Sequence, residues 1–195
     1  MRAAKLTLIL VMSLLAIPVL AADNQVLGEI EFEGASKVEK SSGVWVDGQY
    51  LGYLRELKGS KKVLLLPGQH DIAVRQGGYF DFRRTLTVAP GQKQLVLVRM
   101  EKDLSFKMPH VTAEIKMSVN PERAAVFLDD QFVGHVGEFG GVGRALVVAP
   151  GHRRIKISLP GYQSFQTEVD LAPNQKIEVK TELQKQTSPD ATTSQ

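Results

Sequence analysis

A nine-residue pattern occurs twice in this chain, and the repetition constrains the fold more than any other sequence feature. The stretch VWVDGQYLG (Val44 to Gly52) returns 82 residues later as VFLDDQFVG (Val126 to Gly134). Three further motif pairs follow in the same order at an offset of 83 residues: LPGQH with APGHR, GGYFDF with PGYQSF, and TVAPGQ with DLAPNQ. Matching segments in a constant order indicate a tandem duplication. The sequence therefore predicts two similar domains.

Apolar residues alternate with polar ones over short stretches of both copies. In HRRIKISL (152–159), Ile155, Ile157 and Leu159 alternate with polar residues, and KIEVKTEL (176–183) shows the same period. A period of two is typical of a strand with one face on a core and the other in water. After the first residues, no segment has helical periodicity. We therefore predict an all-β protein made of two tandem β-sandwiches, each with about six or seven short strands.

Turn motifs separate these predicted strands. Asp47-Gly48 lies between VWV and QYL and predicts a two-residue hairpin turn, which needs positive φ at both central residues. Asp129-Asp130 replaces it in the second copy and is a poorer turn by sequence. Further turns are predicted where proline precedes glycine or asparagine, at 67–68, 90–91, 150–151 and 173–174.

The first residues have the features of a secretory signal peptide. Arg2 and Lys5 precede an apolar run, Leu6 to Leu20, which ends on the small residues Ala21 and Ala22. That run is shorter than the ~20 apolar residues needed to span a membrane. We therefore expect export to the periplasm or cell surface, cleavage after Ala21 or Ala22, and no transmembrane segment in the mature chain. A retained anchor is the alternative.

The duplication and the composition set the predicted boundaries. The signal peptide (1–21) precedes a first domain at 26–103, a linker at 104–112 and a second domain at 113–183. A continuous strand between the domains is the alternative to the linker. The polar tail, 184–195, has too little apolar surface to offset the entropy cost of ordering, so we expect it to be disordered.

Charge and cysteine content exclude several functions. The chain has 24 basic and 21 acidic residues, and removing Arg2 and Lys5 leaves a net charge of +1. A surface this balanced lacks the positive footprint of a nucleic-acid-binding protein. The absence of cysteine excludes disulfides, a thiol nucleophile, a thiolate metal site and a lipid-modified cysteine.

The second copy resembles the PEGA domain family, a bacterial and archaeal extracytoplasmic module. The resemblance rests on VNPERAAVFLDDQFVG followed by APG and PGY, in which the naming motif stands as Pro121, Glu122, Arg123 and Ala124. Arg123 replaces a glycine of the motif, and the first copy has EKSSG in its place. The matching positions are Asp47, Gly48, Gly52, Pro67, Gly68, Gly78 and Tyr79 in the first copy, and Pro121, Glu122, Ala124, Asp129, Gly134, Pro150, Gly151, Gly161 and Tyr162 in the second.

The resemblance covers roughly residues 38 to 183. It implies compact, immunoglobulin-like sandwiches of the transthyretin or carboxypeptidase-regulatory type, displayed outside the cytoplasm. No catalytic residues come with the family. The glycines permit turns and the valines and aromatic residues bury, so we interpret the matching positions as structural.

Catalytic and metal-binding arrangements are not indicated. The sequence has no nucleophile elbow, and its carboxylates lie at turns or on alternating strand faces. His70 and His152 follow equivalent turns but differ by one residue in register, which argues against a duplicated metal site. We expect no cofactor and no enzymatic activity, with a hydrolase as the remote alternative.

Two loops between equivalent strands differ most between the copies. Leu54 to Lys62 is basic, and Gly137 to Gly143 is rich in glycine. Loops on a rigid scaffold often carry recognition, so both are candidate recognition loops. Their candidate residues are Arg55, Lys58, Lys61, Lys62, Glu138 and Phe139.

The stretch QLVLVRM of the first copy is apolar on both faces. Its Leu95 and Leu97 correspond to Glu178 and Lys180 of the second copy. A small domain does not readily cover both faces of such a strand, so the outer face is expected to pack on the second domain, another copy or a separate protein. With Trp45, Tyr50 and Tyr53, the same surface is a candidate interface. Because Phe127 matches Trp45, a shared core position is the alternative for that residue.

These features favour a non-catalytic, exported envelope protein that acts as a binding or structural module. The expected partner is another envelope protein or a second copy of the chain. A module that binds cell-wall glycan through exposed aromatic residues is the alternative.

Overall fold

The computed structural model describes residues 26–105 and 107–186. The predicted signal peptide and tail residues 187–195 lie outside this part of the chain. The described residues form two β-sandwiches, each with one three-stranded and one four-stranded sheet. The prediction of an all-β fold with tandem sandwiches is therefore confirmed. In the described segments no helix is long and apolar enough to cross a membrane.

The first sandwich pairs its strands in the orders β4-β1-β7 and β3-β2-β5-β6. β1 runs parallel to β7, and the other pairs are antiparallel. Its strands are β1 (Gly28–Gly34), β2 (Gly43–Val46), β3 (Gln49–Tyr53), β4 (Val63–Leu65), β5 (Gly68–Arg75), β6 (Phe82–Val88) and β7 (Lys93–Val98).

The second sandwich repeats this topology. Its sheets have the orders β11-β8-β14 and β10-β9-β12-β13, with β8 parallel to β14. The duplication seen in the sequence is thus a duplication of strand order. The strands are β8 (Ala113–Asn120), β9 (Ala125–Leu128), β10 (Gln131–His135), β11 (Leu146–Val148), β12 (Gly151–Ser158), β13 (Phe165–Leu171) and β14 (Lys176–Glu182).

Alternating strand residues fill each sandwich. Because successive side chains of a strand point to opposite faces, one half of each strand is buried between the sheets. Ile30, Val44 and Ile72 are buried in the first sandwich, and Ile115 and Ile155 in the second.

Two short helices, which the sequence did not predict, lie between strands. α1 (Lys37–Ser41) begins after Ser36, whose side chain accepts a hydrogen bond from the Val38 amide, while Glu39 accepts one from the Ser36 amide. This capping box stabilises the helix start. α2 (Val136–Phe139) lies in the glycine-rich segment that we expected to be a flexible loop. Helices this short have too few residues to show a helical period.

The second sandwich extends past the predicted start of the tail. Lys185 forms an isolated bridge with Tyr162, and the Gln186 amide donates to the Gly161 carbonyl at 2.9 Å. In the first copy, Tyr79 bridges Lys102 in the same way. Residues 184–186 are therefore part of the ordered domain, although the sequence assigned them to the tail.

Candidate functional site

Exposed leucines cover part of the outer face of the β4-β1-β7 sheet. They are between 46% and 55% exposed, whereas the opposite face of the sheet packs in the core. The strand register places Leu95 beside Glu31 and Leu97 beside Glu33 on this outer face. We call the group the leucine face; its members are Leu64, Leu66, Leu95 and Leu97.

Ion pairs surround these leucines. Lys62 binds Glu29 at 2.8 Å, and Lys93 binds Glu31 at 3.0 Å. The hydrogen bond from Lys62 lowers the pKa of Glu29, and the one to Glu31 raises the pKa of Lys93. Glu33 has no ion-pair partner among the described residues. The face is therefore apolar with largely neutralised charges and one free carboxylate.

The same face of the second domain is charged. On β14, Glu178 lies beside Lys116 and Lys180 beside Ser118, at the positions of Leu95 and Leu97 in the first domain. Charged side chains of this kind protect exposed sheet surfaces from unwanted association. On β7 of the first domain, Leu95 and Leu97 take the place of these two charged side chains.

The second domain does not cover the leucine face. Leu95 and Leu97 remain 50% and 55% exposed with both domains present. We expected this face to pack on the second domain, on another copy of the chain or on a separate protein. The first of these three expectations is wrong. The domains instead meet through the other sheet of the first sandwich.

Trp45 and Tyr50 lie at this contact between the domains. Their rings pack together and against Phe132 of β10, with the Trp45 and Phe132 centroids 4.8 Å apart. Both residues are buried in the apolar cluster of the second domain. The expectation that they share a surface with Leu95 and Leu97 is therefore wrong, because the two sets lie on different sheets. Trp45 is buried between the domains and not inside its own sandwich.

Polar residues continue the contact beside these rings. The Tyr50 hydroxyl donates to the Arg123 carbonyl at 3.2 Å, and burial raises the pKa of Tyr50. The Gln76 side-chain amide donates to Glu138 at 3.3 Å, and Glu138 also contacts the buried His135 ring. These partners come from both domains.

Tyr53 also joins this polar region. Its ring stacks on the His135 ring with centroids 4.4 Å apart, and the Arg55 guanidinium lies 4.9 Å from its centroid on the ring face. Burial raises the pKa of Tyr53. Sequence reasoning missed Gln76 and His135, because isolated polar residues in loops or strand ends carry no periodic signal.

The two candidate recognition loops are more ordered than expected. Leu54–Glu56 and Gly59–Lys61 form short 3₁₀ turns, and Lys61 lies 3.9 Å from Glu56. Lys58 is exposed. In the other loop Phe139 is buried, so its ring is not a surface contact. Glu138 faces the domain contact described above.

The aspartates of the two hairpins have a structural role. Asp47 accepts hydrogen bonds from the Asp71 amide at 2.9 Å and pairs with His70 at 2.6 Å. Asp129 accepts from the Arg154 amide at 2.9 Å in the same way. Each carboxylate thus ties a hairpin turn to the neighbouring strand.

The hairpin turn itself has the same backbone geometry in both copies. Asp129 and Asp130 both adopt positive φ, at 49° and 66°, as do Asp47 and Gly48. The turn that is poorer by sequence therefore forms all the same, and Arg154 pairs with Asp130 beside it.

No curated protein sequence matches the chain significantly. Among solved structures, the Bacillus anthracis TIE protein is 16% identical with a TM-score of 0.30, covering 83% of this chain and 34% of its own. The chain thus spans about a third of the length of that protein.

A second solved structure is GBS52, the minor pilin of Streptococcus agalactiae, at 10% identity and a TM-score of 0.28, covering 87% of this chain and 100% of its own. TM-scores of this size do not establish a shared fold. The family model of the PEGA domain matches residues 112–187. This range contains the second sandwich, which is therefore similar to the PEGA domain family.

Proposed function

We propose that this protein is a non-catalytic component of the cell envelope, exported by its N-terminal signal, that binds a separate envelope protein through the leucine face. The observation that carries the proposal is the exposure of Leu95 and Leu97 on a sheet whose duplicate carries Glu178 and Lys180 instead. The PEGA domain and the tandem sandwiches support a scaffold role.

The chemistry of the face indicates what kind of partner fits. Aliphatic residues dominate it, so the partner needs an apolar surface to exclude water from them. Glu33 is exposed without an ion-pair partner in the described part of the chain, which favours a basic residue at the rim of the partner. Lys62 and Lys93 already neutralise the other carboxylates.

The structure weakens the glycan alternative. Sugar-binding proteins commonly use exposed aromatic rings, but Trp45 and Tyr50 are buried between the domains. The Tyr53 ring is stacked on His135 and covered by Arg55. These rings stabilise the domain contact and are not open platforms.

The test is a cross-linking pull-down from native envelope extract, with the recovered proteins identified by mass spectrometry. The purified protein is compared with a Leu95→Glu, Leu97→Glu variant, and circular dichroism verifies that the fold is intact. The matched control is Glu178→Lys, Lys180→Glu, which changes the equivalent positions of the second domain without altering an apolar surface.

Recovery of one defined protein by the wild type and the control, but not by the leucine variant, supports the proposal. Equal recovery by all three proteins contradicts it. Light scattering tests whether the partner is a second copy of the chain. A concentration-dependent dimer that is lost only in the leucine variant would assign the face to self-association. Binding to isolated peptidoglycan that is lost in Tyr53→Ala, and kept in the leucine variant, favours the glycan alternative.

A further inference from the structure

A cleft of about 890 Å³ lies between the two domains. One wall is the β5–β6 connection of the first domain, including Gly77 and Tyr79. The opposite wall belongs to the second domain and contains residues of β10 and β11. Met108 and Pro109 of the connecting segment close one side. None of the four residues of the leucine face lines this cleft.

Both strands of the second wall are sheet edges. β10 pairs only with β9, and β11 only with β8, in the sheet orders of the described chain. An edge strand presents backbone amides and carbonyls without partners, which makes it a template for an added strand. The first domain approaches β10 closely, because a Cβ on Gly77 would lie 3.0 Å from the Val133 carbonyl oxygen. β11 is therefore the freer edge.

The register of β11 shows which backbone groups point into the open side. Val147 lies opposite Glu114 on β8. On the other side of β8, the Glu114 amide donates to the Gln175 carbonyl at 2.9 Å. Because the amide and carbonyl of a strand residue point to the same side, Glu114 does not bond to β11, and Val147 belongs to a non-hydrogen-bonded pair. The Val147 amide and carbonyl therefore point away from β8.

The charges that line the cleft largely neutralise one another. Arg75 pairs with Asp81 at 3.2 Å, and Arg153 pairs with Asp129 at 3.0 Å. Such a lining does not select a polyanion or a polycation. It fits an extended chain of low net charge.

The aromatic residues of the cleft do not favour a sugar. Phe132 is packed against the Trp45 and Phe127 rings, with centroids 4.8 and 5.8 Å away. Tyr79 is half-buried and paired through its backbone with Lys102. Backbone hydrogen bonding is therefore the main interaction that the cleft offers.

The equivalent cleft of the first domain is smaller. It measures about 410 Å³ and is lined by Leu64 of β4 together with Leu57, Lys61 and Lys62 of the loop that follows β3. In the second domain the loop after β10 does not line the cleft at β11. In the first domain, the loop after β3 therefore narrows the cleft at the edge strand β4. In the second domain, the cleft at the edge strand β11 is open.

We propose that the cleft between the domains binds an extended peptide segment of low net charge, which adds as a strand to the free edge of β11 at Val147. Val147 is 39% exposed, and its side chain provides an apolar contact beside the new backbone hydrogen bonds. This site is independent of the leucine face.

The first step of the test is a selection of random twelve-residue peptides, displayed on phage, against the purified protein. The best peptide is then synthesised for affinity measurements. Trp45 is the only tryptophan of the chain, and it contacts Arg75 and Phe132, which both line the cleft. Its fluorescence therefore reports binding, and calorimetry gives the dissociation constant.

The decisive variant is Val147→Pro. Proline removes the amide that points outward, while the pairing of β11 with β8 does not use that amide. We expect the dissociation constant to rise about fivefold, consistent with the loss of one backbone hydrogen bond. Val147→Ala keeps the amide and controls for the side chain. Leu64→Pro, at the matching edge position of the first domain, is expected to leave the affinity unchanged.

A second measurement uses the peptide itself. Two peptides are made, one methylated at the even-numbered backbone nitrogens and the other at the odd-numbered ones. We expect binding to be lost in the peptide whose methyl groups block the amides that face β11, and to be kept in the other. The proposal is overturned if no peptide is selected, if Val147→Pro binds like the wild type while folded, or if both methylated peptides bind normally. Selection only of peptides whose binding is lost in Leu95→Glu, Leu97→Glu also overturns it and assigns them to the leucine face.

Discussion

Trp45 of the first domain and Phe132 of the second meet edge to face, with ring centroids 4.8 Å apart and an interplanar angle of 81°. The Trp45 ring is buried in a cluster that otherwise consists mostly of second-domain residues. Aromatic pairs of this geometry are favourable beyond the area that they bury. The two sandwiches therefore share a continuous apolar contact, which is expected to couple their unfolding.

Truncation of this ring is expected to uncouple the domains. Trp45→Ala leaves a cavity against Phe132 and Tyr50 and should lower the free energy of unfolding by about 3–5 kcal/mol. Differential scanning calorimetry should then resolve two transitions where the wild type shows one. Phe80→Ala is the control, since Phe80 is 57% exposed and its loss should change stability by less than about 0.5 kcal/mol. An unchanged single transition in Trp45→Ala would refute the coupling.

Gly43 is expected to tolerate no side chain. A Cβ at this position would lie 2.7 Å from the Trp45 ring and 2.9 Å from the Phe132 ring. Gly43→Ala should therefore destabilise the protein by about 1–3 kcal/mol in urea unfolding, because the rings have to move apart. At Gly137 the nearest atom would be 3.5 Å away, so Gly137→Ala should be neutral or slightly stabilising in α2. Equal stability of both variants would contradict the packing argument.

Glu138 is expected to stabilise the polar part of the domain contact. It accepts a hydrogen bond from Gln76 and contacts His135, which is buried. Glu138→Ala removes the acceptor of the Gln76 amide and the carboxylate beside the buried His135 ring, and it should lower the free energy of unfolding by about 1–3 kcal/mol. Glu138→Gln retains an acceptor and should lose less. As a control, Glu178→Ala removes an exposed carboxylate and should have an effect within about 0.5 kcal/mol, measured by urea denaturation.

The pair of His70 and Asp47 is expected to make stability depend on pH. The hydrogen bond that the His70 ring donates to Asp47 raises the pKa of His70 above its ordinary value of 6.5, and the same bond lowers the pKa of Asp47 below 3.8. The stabilisation that charged His70 contributes to the fold is therefore complete below pH 6.5, and it is lost as the pH rises through the raised pKa of His70. The stabilisation that ionised Asp47 contributes to the fold is complete above pH 3.8, and it is lost as the pH falls through the lowered pKa of Asp47.

A comparison of variants at two pH values tests this window. Wild type should exceed His70→Gln in stability by about 0.5 kcal/mol at pH ~5, and by less at pH ~9. Arg153 occupies the matching position beside Asp129, and its guanidinium stays charged over this range. The difference between wild type and Arg153→Gln should therefore be equal at both pH values. A His70→Gln difference that does not change with pH would contradict the role of this pair.

Much of the fold follows from local patterns. The alternation at Ile155 and Ile157 indicates half-buried strands, and both residues are buried in β12. The turn motif at Asp47 identifies a hairpin that the structure contains. The helices α1 and α2 were missed, because a helix of four or five residues depends on its caps and neighbours more than on its own periodicity.

The candidate site was predicted only in part. The apolar character of Leu95 and Leu97 is visible in the sequence, because the second copy shows charged residues at the same positions. The separation of these leucines from Trp45 and Tyr50 is not visible, because it depends on which sheet each strand joins. Phe139 was predicted at a recognition surface and is buried.

The sequence by itself determined the duplication, the strands, their turns and which side chains lie on each face, since these depend on residue spacing along one chain. The tertiary structure decided which faces of the two sandwiches meet, and hence that Trp45 is covered while Leu95 is open. It also decided that β11 is a free edge beside a cleft. Contacts between distant segments depend on how whole sheets pack, and the local pattern of a strand is the same whether its outer face meets water or another domain.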